Sequence, residues 1–164
     1  MAGKLDGQVV AITGASSGIG EATALALAAE GASVALAARR ADRIEALAGK
    51  ITGDGGKALA IETDVSEEQQ AQAMVKRTTD ELGGLHILVN NAGVMLLGPV
   101  AGADTGEWRR MIDVNLLGLL YATHATLPVM GAAGEGHVIN VSSVAGRTAS
   151  MGSAVYNMTK WGVT

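Results

Sequence analysis

Short apolar runs alternate along this chain with longer segments whose apolar residues recur at helical spacing. Residues 8–13 (QVVAIT) predict a strand, because a continuous Val/Ile run suits a strand covered on both faces. Residues 18–31, rich in Ala and Leu and closed by a glycine, predict a helix. Further strands are predicted at 33–38 (SVALAA), 57–62 (KALAIE), 86–90 (HILVN) and 137–142 (HVINVS). Further helices are predicted at 42–53, at about 67–82 and from 105 to about 130. Ser66 is the expected N-cap of the third helix, with Glu67 and Glu68 complementing its positive end. Residues 91–104 are expected to form a loop, Pro128 to kink the long helix, and a last helix to open at Ser153.

This alternation, with no linker or repeat between elements, predicts one α/β domain over residues 1–164. Its expected form is a doubly wound parallel sheet with right-handed crossovers and helices on both faces. Ligands of such sheets bind beyond the carboxyl ends of the strands, where strand order reverses. The segments that follow the strands are therefore the places to look for chemistry.

After the first strand comes Thr13-Gly14-Ala15-Ser16-Ser17-Gly18-Ile19-Gly20. A strand, a glycine turn and a helix N-terminus form an anion site, since free backbone N–H groups and the positive helix end face the same point. Gly14 is expected to permit the turn, Gly18 a close backbone approach, and Gly20 the packing of helix on sheet. A plain tight turn is the alternative reading of the glycines alone. The phosphate loop of nucleoside triphosphatases is disfavoured, because GxxxxGK[ST] is absent. About 20 residues on, the second strand ends in Ala38-Arg39-Arg40. A site for NAD usually places a carboxylate there for the ribose 2′-hydroxyl, whereas Arg39 offers a bidentate clamp for a 2′-phosphate. Solvated loop charges are the bland alternative for both arginines. The missing carboxylate and the adjacent guanidinium together predict NADP(H) in preference to NAD(H).

Tyr156 and Lys160 stand at i and i+4, one turn apart on a predicted helix. A phenol with a reference pKa of about 10 needs a nearby cation to act as an acid/base near neutrality. Lys160 is spaced to supply it, and Ser143 follows the fifth strand, where it can donate to a developing oxyanion. Each feature alone is ordinary: a helix surface pair and a turn serine.

Taken in order, TGASSGIG (Thr13 to Gly20), NNAG (Asn90 to Gly93), Asn115, Ser142-Ser143 and YNMTK (Tyr156 to Lys160) resemble the short-chain dehydrogenase/reductase family over essentially the whole chain. The stretches NNAGVMLLGPV and MIDVNLLGLLYAT are similar to a branch that includes clavulanate dehydrogenase. The resemblance implies a Rossmann-type fold and hydride transfer between NADPH and a carbonyl or alcohol. It implies that Tyr156 protonates the carbonyl oxygen and that Lys160 lowers the phenol pKa and holds the nicotinamide ribose. It further implies that Ser143 fixes the substrate oxygen and that Asn115 holds a water in a relay to Lys160. Ser16, Ser17, Ile19 and the loop glycines would hold the pyrophosphate, and Arg39 and Arg40 the 2′-phosphate. Asp64 and Val65 would contact the adenine, and Asn91, Ala92 and Gly93 would pass close to the cofactor. A non-catalytic dinucleotide-binding module, or an inactive truncated product, is the alternative on the same fold.

Family members continue well past the YxxxK element, so residues 1–164 are expected to be the N-terminal part of a longer enzyme, without the family's later strands. Ending at the fifth strand leaves its edge unpaired, and weak or absent turnover is expected of these residues alone. The family implies a homodimer or homotetramer of the full-length enzyme, built on the long helices.

Composition narrows the partners. Net charge is −4 and the 12 basic residues form no run, which argues against nucleic acid. Cysteine is absent, excluding disulfides and thiolate sites, and His86, His124 and His137 show no metal-ligand spacing. MAGKLDGQ lacks the apolar stretch of a secretory signal, and apolar runs such as 116–120 fall short of the roughly 18 residues of a membrane span. A cytoplasmic protein with a small-molecule substrate is expected. Phe is absent and aromatics are 2%, so the core must come from Ala, Val, Leu, Ile and Met, with Trp108 and Trp161 as packing residues.

Overall fold

The computed structural model describes residues 3–164; Met1 and Ala2, which open the MAGKLDGQ segment, lie outside the described residues. The apolar runs become five strands: β1 (Val9–Thr13), β2 (Ser33–Ala38), β3 (Lys57–Glu62), β4 (Ile87–Asn90) and β5 (His137–Asn140). All neighbours pair in parallel, in the order β3-β2-β1-β4-β5. Strand order reverses between β1 and β4, so their carboxyl ends open the crevice in which doubly wound sheets bind ligands.

The helices are α1 (Gly18–Ala29), α2 (Ala41–Gly53), α3 (Glu68–Leu82), α4 (Thr105–Ile112), α5 (Gly118–Ala133) and α6 (Ala154–Val163). Because successive side chains of a strand point to opposite faces, each strand divides its residues between two cores. Val10, Ile12, Val34 and Leu36 pack with Ile44, Leu47 and Ile51 of α2 on one face. Ala11, Ala35 and Ala37 pack with Met74 and Val75 of α3 and with Ala122 and Met130 of α5 on the other. In β1 and β2, long aliphatic side chains thus face α1 and α2, while alanines face α3 and α5.

Several boundaries differ from the sequence pattern. The third helix begins at Glu68 with Glu67 in the N-cap position and no side-chain cap. Ser66 does not cap it: its hydroxyl donates instead to Asp64 Oδ1 at 2.6 Å, forming a turn after β3. The 105–130 helix is interrupted by a π-helical segment at Asp113–Leu117, whereas α5 runs unbroken past Pro128 to Ala133. The pattern reads through this segment because a single widened turn shifts the helical register without ending it. As one stretch, Thr105–Ala133 is long and apolar enough to cross a membrane by length and composition. Here it flanks the sheet, with α5 packed along α3 and against β4.

The fifth strand is short and mostly exposed, with Ile139 at 50%. Trp161 is 55% exposed on α6 and so is not the packing residue expected. His86 has a structural task, since its Nδ1 accepts the Val9 N–H at 2.9 Å and ties β4 to the start of β1.

Candidate active site

The crevice between β1 and β4 is closed by one buried hydroxyl. Thr13 Oγ1 accepts from the N–H groups of Asn91 and Ala92, both at 3.1 Å, and donates to the Val89 carbonyl at 3.4 Å. Asn91 returns the contact, its Nδ2 donating to the carbonyls of Thr13 (3.0 Å) and Gly14 (3.2 Å). Gly14 adopts φ of 68°, and a Cβ there would lie 2.8 Å from Ala92 Cα. Close approach, not only the turn, therefore requires a glycine at this position.

Gly18 has φ of 59°, a conformation that favours glycine, and no protein atom lies within 4 Å of a Cβ built there. Gly20 packs on the loop and not on the sheet: a Cβ there would strike the Gly14 carbonyl and lie 2.6 Å from Asn91 Nδ2. Ser17 occupies the N-cap of α1 but makes no capping bond. Its hydroxyl, with that of Ser16, accepts from Arg40 Nη2 at 2.6 and 2.9 Å. Arg39 turns the other way, with Nη1 3.8 Å from Asp64 Oδ2.

A cleft of about 370 Å³ runs over these groups. Its walls include Gly14, Ser16, Ser17 and Ile19 from the glycine loop, Arg39 and Arg40 after β2, and Asp64 and Val65 after β3. Asn91, Ala92 and Gly93, after β4, line its far end. Gly20 packs beneath the loop, against Gly14 and Asn91. A Cβ on Gly93 would lie 3.4 Å from Asn115 Oδ1 and 3.7 Å from Lys160 Nζ, so the cleft meets α6 at this point.

Tyr156 and Lys160 share α6, and that helix is tied to the segment after β5. Ser142 Oγ donates to the Lys160 carbonyl at 3.1 Å. Asn157 Nδ2 donates to the carbonyls of Ala145 (2.8 Å) and Thr148 (2.5 Å), and a Cβ on Gly146 would press on the Lys160 carbonyl at 2.5 Å. Ser143 lies inside this clamped segment. Its Oγ accepts the Ala145 N–H at 3.1 Å as the cap of a 3₁₀ turn, which leaves its own proton for another acceptor. Lys160 Nζ donates to the Val141 carbonyl at 2.9 Å, and burial pushes its pKa below the ordinary lysine value.

Asn115, 2% exposed, is fully engaged in protein contacts. Its Oδ1 accepts the Val94 N–H at 2.8 Å, and its Nδ2 donates to the Val94 carbonyl and to Thr159 Oγ1 at 2.9 and 3.1 Å. The Asn115 side chain thus braces the loop after β4 against α6. Sequence reasoning missed the bracing residues Thr13, Ser142, Asn157 and Thr159. All four lie inside the recognisable motifs, as the small polar positions to which no chemical role was given. No group of His, Cys, Asp or Glu able to hold a metal occurs among the described residues.

The family pattern described as short chain dehydrogenase matches residues 8–164, from the first strand through α6. The chain belongs to the short-chain dehydrogenase family. This family member is 47% identical over 159 residues to glycine betaine reductase of Emericella nidulans, covering 97% of this chain and 12% of that protein. It is 42% identical over 156 residues to an oxidoreductase of Listeria innocua, covering 95% of this chain and 63% of the relative. The short-chain dehydrogenase chain thus spans less than two thirds of the length of these relatives.

Among solved structures, a short-chain dehydrogenase of Burkholderia phymatum in complex with NAD matches with a TM-score of 0.95 and 31% identity, covering 98% of this chain and 57% of that one. An alcohol dehydrogenase of Thermococcus sibiricus complexed with 5-hydroxy-NADP matches with a TM-score of 0.91 and 32% identity, covering 95% of this chain and 66% of that one. The parallel sheet with flanking helices is thus the Rossmann-type arrangement of the family. Its structural neighbours bind nicotinamide dinucleotides.

Proposed function

We propose that this chain carries the cofactor-binding and catalytic part of an NADP(H)-dependent oxidoreductase acting on a small-molecule carbonyl or alcohol. The observation that carries the reading is the convergence at Gly93, where the cleft over the glycine loop reaches Asn115 Oδ1 and the buried Lys160 Nζ. A side chain at residue 93 would fill that junction, so the glycine supports a cofactor passing there. Bound NADPH would supply the hydride.

The chain's own residues supply the rest. Ser16, Ser17 and the N-terminus of α1 bind the pyrophosphate, Asp64 and Val65 flank the adenine, and Asn91 to Gly93 form the floor. Arg40, already seated on the serine hydroxyls, and Arg39 beside Asp64 favour a 2′-phosphate, with no carboxylate at Ala38 to prefer a free hydroxyl. Tyr156 gives its proton to the substrate oxygen during reduction and takes it back in oxidation, while Lys160 provides the neighbouring positive charge. Ser143 donates to the same oxygen. Asn115 holds α6 against the loop after β4, so that Lys160 and Gly93 keep their spacing.

Exposed Leu120 and Leu127 on α5 and Trp161 on α6 support self-association of the full-length enzyme, which we place in the cytoplasm. The deciding experiment compares the protein as produced from its gene with its Tyr156→Phe variant, following NADPH oxidation against a panel of aldehydes and ketones. Tyr156→Phe should lower kcat by about 100-fold or more and leave NADPH affinity nearly unchanged. Turnover at the wild-type rate without the phenol would reject the mechanism. NADPH binding with no turnover in either protein would favour a non-catalytic dinucleotide-binding module.

A further inference from the structure

Gly118 sits where α5 leaves the π-helical segment, with φ of −60° and ψ of −40°. These are ordinary right-handed helical angles, so its conformation does not call for glycine. Glycine is also a poor helix former. Space explains it. A Cβ at this position would lie 2.7 Å from Val65 Cγ2 and 3.0 Å from both Val65 Cβ and the Val65 carbonyl oxygen. Val65, 6% exposed, is a wall of the cleft on the side away from α6.

Neither side of this contact has room to give. The π segment is held from behind by the three hydrogen bonds of Asn115. Its Leu116 also presses on Gly162 of α6, where a Cβ would lie 2.9 Å from Leu116 Cδ2. On the other side, the turn that carries Val65 is pinned along its length. Thr63 N–H donates to the Ala38 carbonyl at 3.0 Å, and Asp64 N–H to Gln70 Oε1 at 2.8 Å. Ser66 N–H donates to Asp64 Oδ1 at 3.0 Å, and Glu67 N–H to the Asp64 carbonyl at 3.1 Å. Val65 is β-branched and stiff at χ1. A methyl group added at residue 118 therefore displaces Val65 toward the cleft.

We propose that Gly118 is a positioning residue for the dinucleotide, setting the depth of the adenine side of the cleft through Val65. This rests on the dinucleotide reading above. It adds that the π segment and the first residue of α5 together serve both ends of the site: Asn115 braces the end near Lys160, and Gly118 admits Val65 at the other.

The test uses binding, which needs no substrate. Wild type, Gly118→Ala, Val65→Ala and the double variant are titrated with NADPH, with adenosine 2′,5′-bisphosphate as a probe of the adenine end, and with reduced nicotinamide mononucleotide as a probe of the other. Gly118→Ala should weaken NADPH and the bisphosphate by about tenfold, the scale of one overpacked methyl group, and leave the mononucleotide nearly unchanged. Removing the Val65 methyls relieves the contact at 2.7 Å and leaves those of Val65 Cβ and the carbonyl oxygen at 3.0 Å, so the double variant should recover most of the loss relative to Val65→Ala. If Gly118→Ala does not fold, the double variant should still fold and bind nearly as well as Val65→Ala, and its failure to do so would overturn the proposal. Equal affinities in wild type and folded Gly118→Ala would also overturn it, as would a loss that Val65→Ala does not relieve. Wild type that binds none of the three probes would reject the dinucleotide reading itself.

Discussion

Replacing Asn157 with alanine tests how α6 is held. Asn157 is 6% exposed, donates to the carbonyls of Ala145 and Thr148, and accepts from Ser153 Oγ. The two lost donations are worth about 1 kcal/mol each, and the partly stranded acceptors raise the total to about 2–3 kcal/mol. Ser153 keeps its bond to the Ser150 carbonyl at 2.9 Å, so its hydroxyl adds little. For a chain of this size such a loss lowers Tm by about 5–10 °C if it is felt globally. We expect it to be felt locally. Helix α6 is tied to the segment after β5 through Asn157 and lies outside the sheet's hydrogen-bond ladder, so it should open before the sheet does. Hydrogen exchange read by mass spectrometry should show amides of 157–164 exchanging about 30- to 150-fold faster, with β1 and β2 unchanged. Wild-type protection across α6 in the variant, or a loss spread evenly over the sheet, would refute the reasoning.

Three further outcomes follow from the site. Thr13→Val leaves the half-buried N–H groups of Asn91 and Ala92 without their acceptor and should cost about 2 kcal/mol in urea unfolding, largely recovered by Thr13→Ser. Arg40→Ala removes an exposed side chain and should change stability by no more than about 0.5 kcal/mol. The same variant should weaken NADPH about tenfold and spare NADH, and an equal loss for both would show that Arg40 does not read the 2′-phosphate. Lys160 has its folded pKa depressed by burial below 10.5, so between the two values the unfolded chain binds more protons and stability rises with pH. Below that window the full cost of the buried ammonium is carried, so Lys160→Met should be most favourable relative to wild type near neutrality. Its advantage should shrink as pH rises toward 10.5, and parallel unfolding profiles across that range would contradict the assignment.

Elements buried on both faces were legible in the sequence because continuous apolar runs leave little else to form: β1, β2 and β4 lie where the Val, Ile and Leu residues are. The glycine loop was legible too, since it needs only local order along the chain. What escaped depended on partners distant in sequence. Ser66 carries the composition of an N-cap, yet its hydroxyl finds Asp64 closer at hand. The π segment, DVNLL, keeps a spacing of apolar residues that an ordinary helix would also satisfy. Two adjacent arginines look equivalent in the sequence, but one reaches Ser16 and Ser17 across 23–24 residues while the other turns to Asp64. Asn115 was recognisable as a site residue, but no motif says that its amide would be taken up by Val94 and Thr159.

The unequal faces of the sheet give this chain a directional tolerance of change. On the side of α2, Ile12, Leu36 and Ile44 fill volume, and shortening them opens voids. On the side of α3 and α5, Ala11, Ala35 and Ala37 are fully buried, and lengthening them forces the helices outward. Neighbouring residues of one strand therefore tolerate opposite errors. A larger residue at 35 could not be offset by a smaller one at 34 or 36, because the parallel backbone between them keeps the two volumes apart. Adaptation of the core must proceed within a single face, and the alanines of β1 and β2 exchange volume with the larger residues of their own cluster, such as Met74, Val75, Leu88 and Met130.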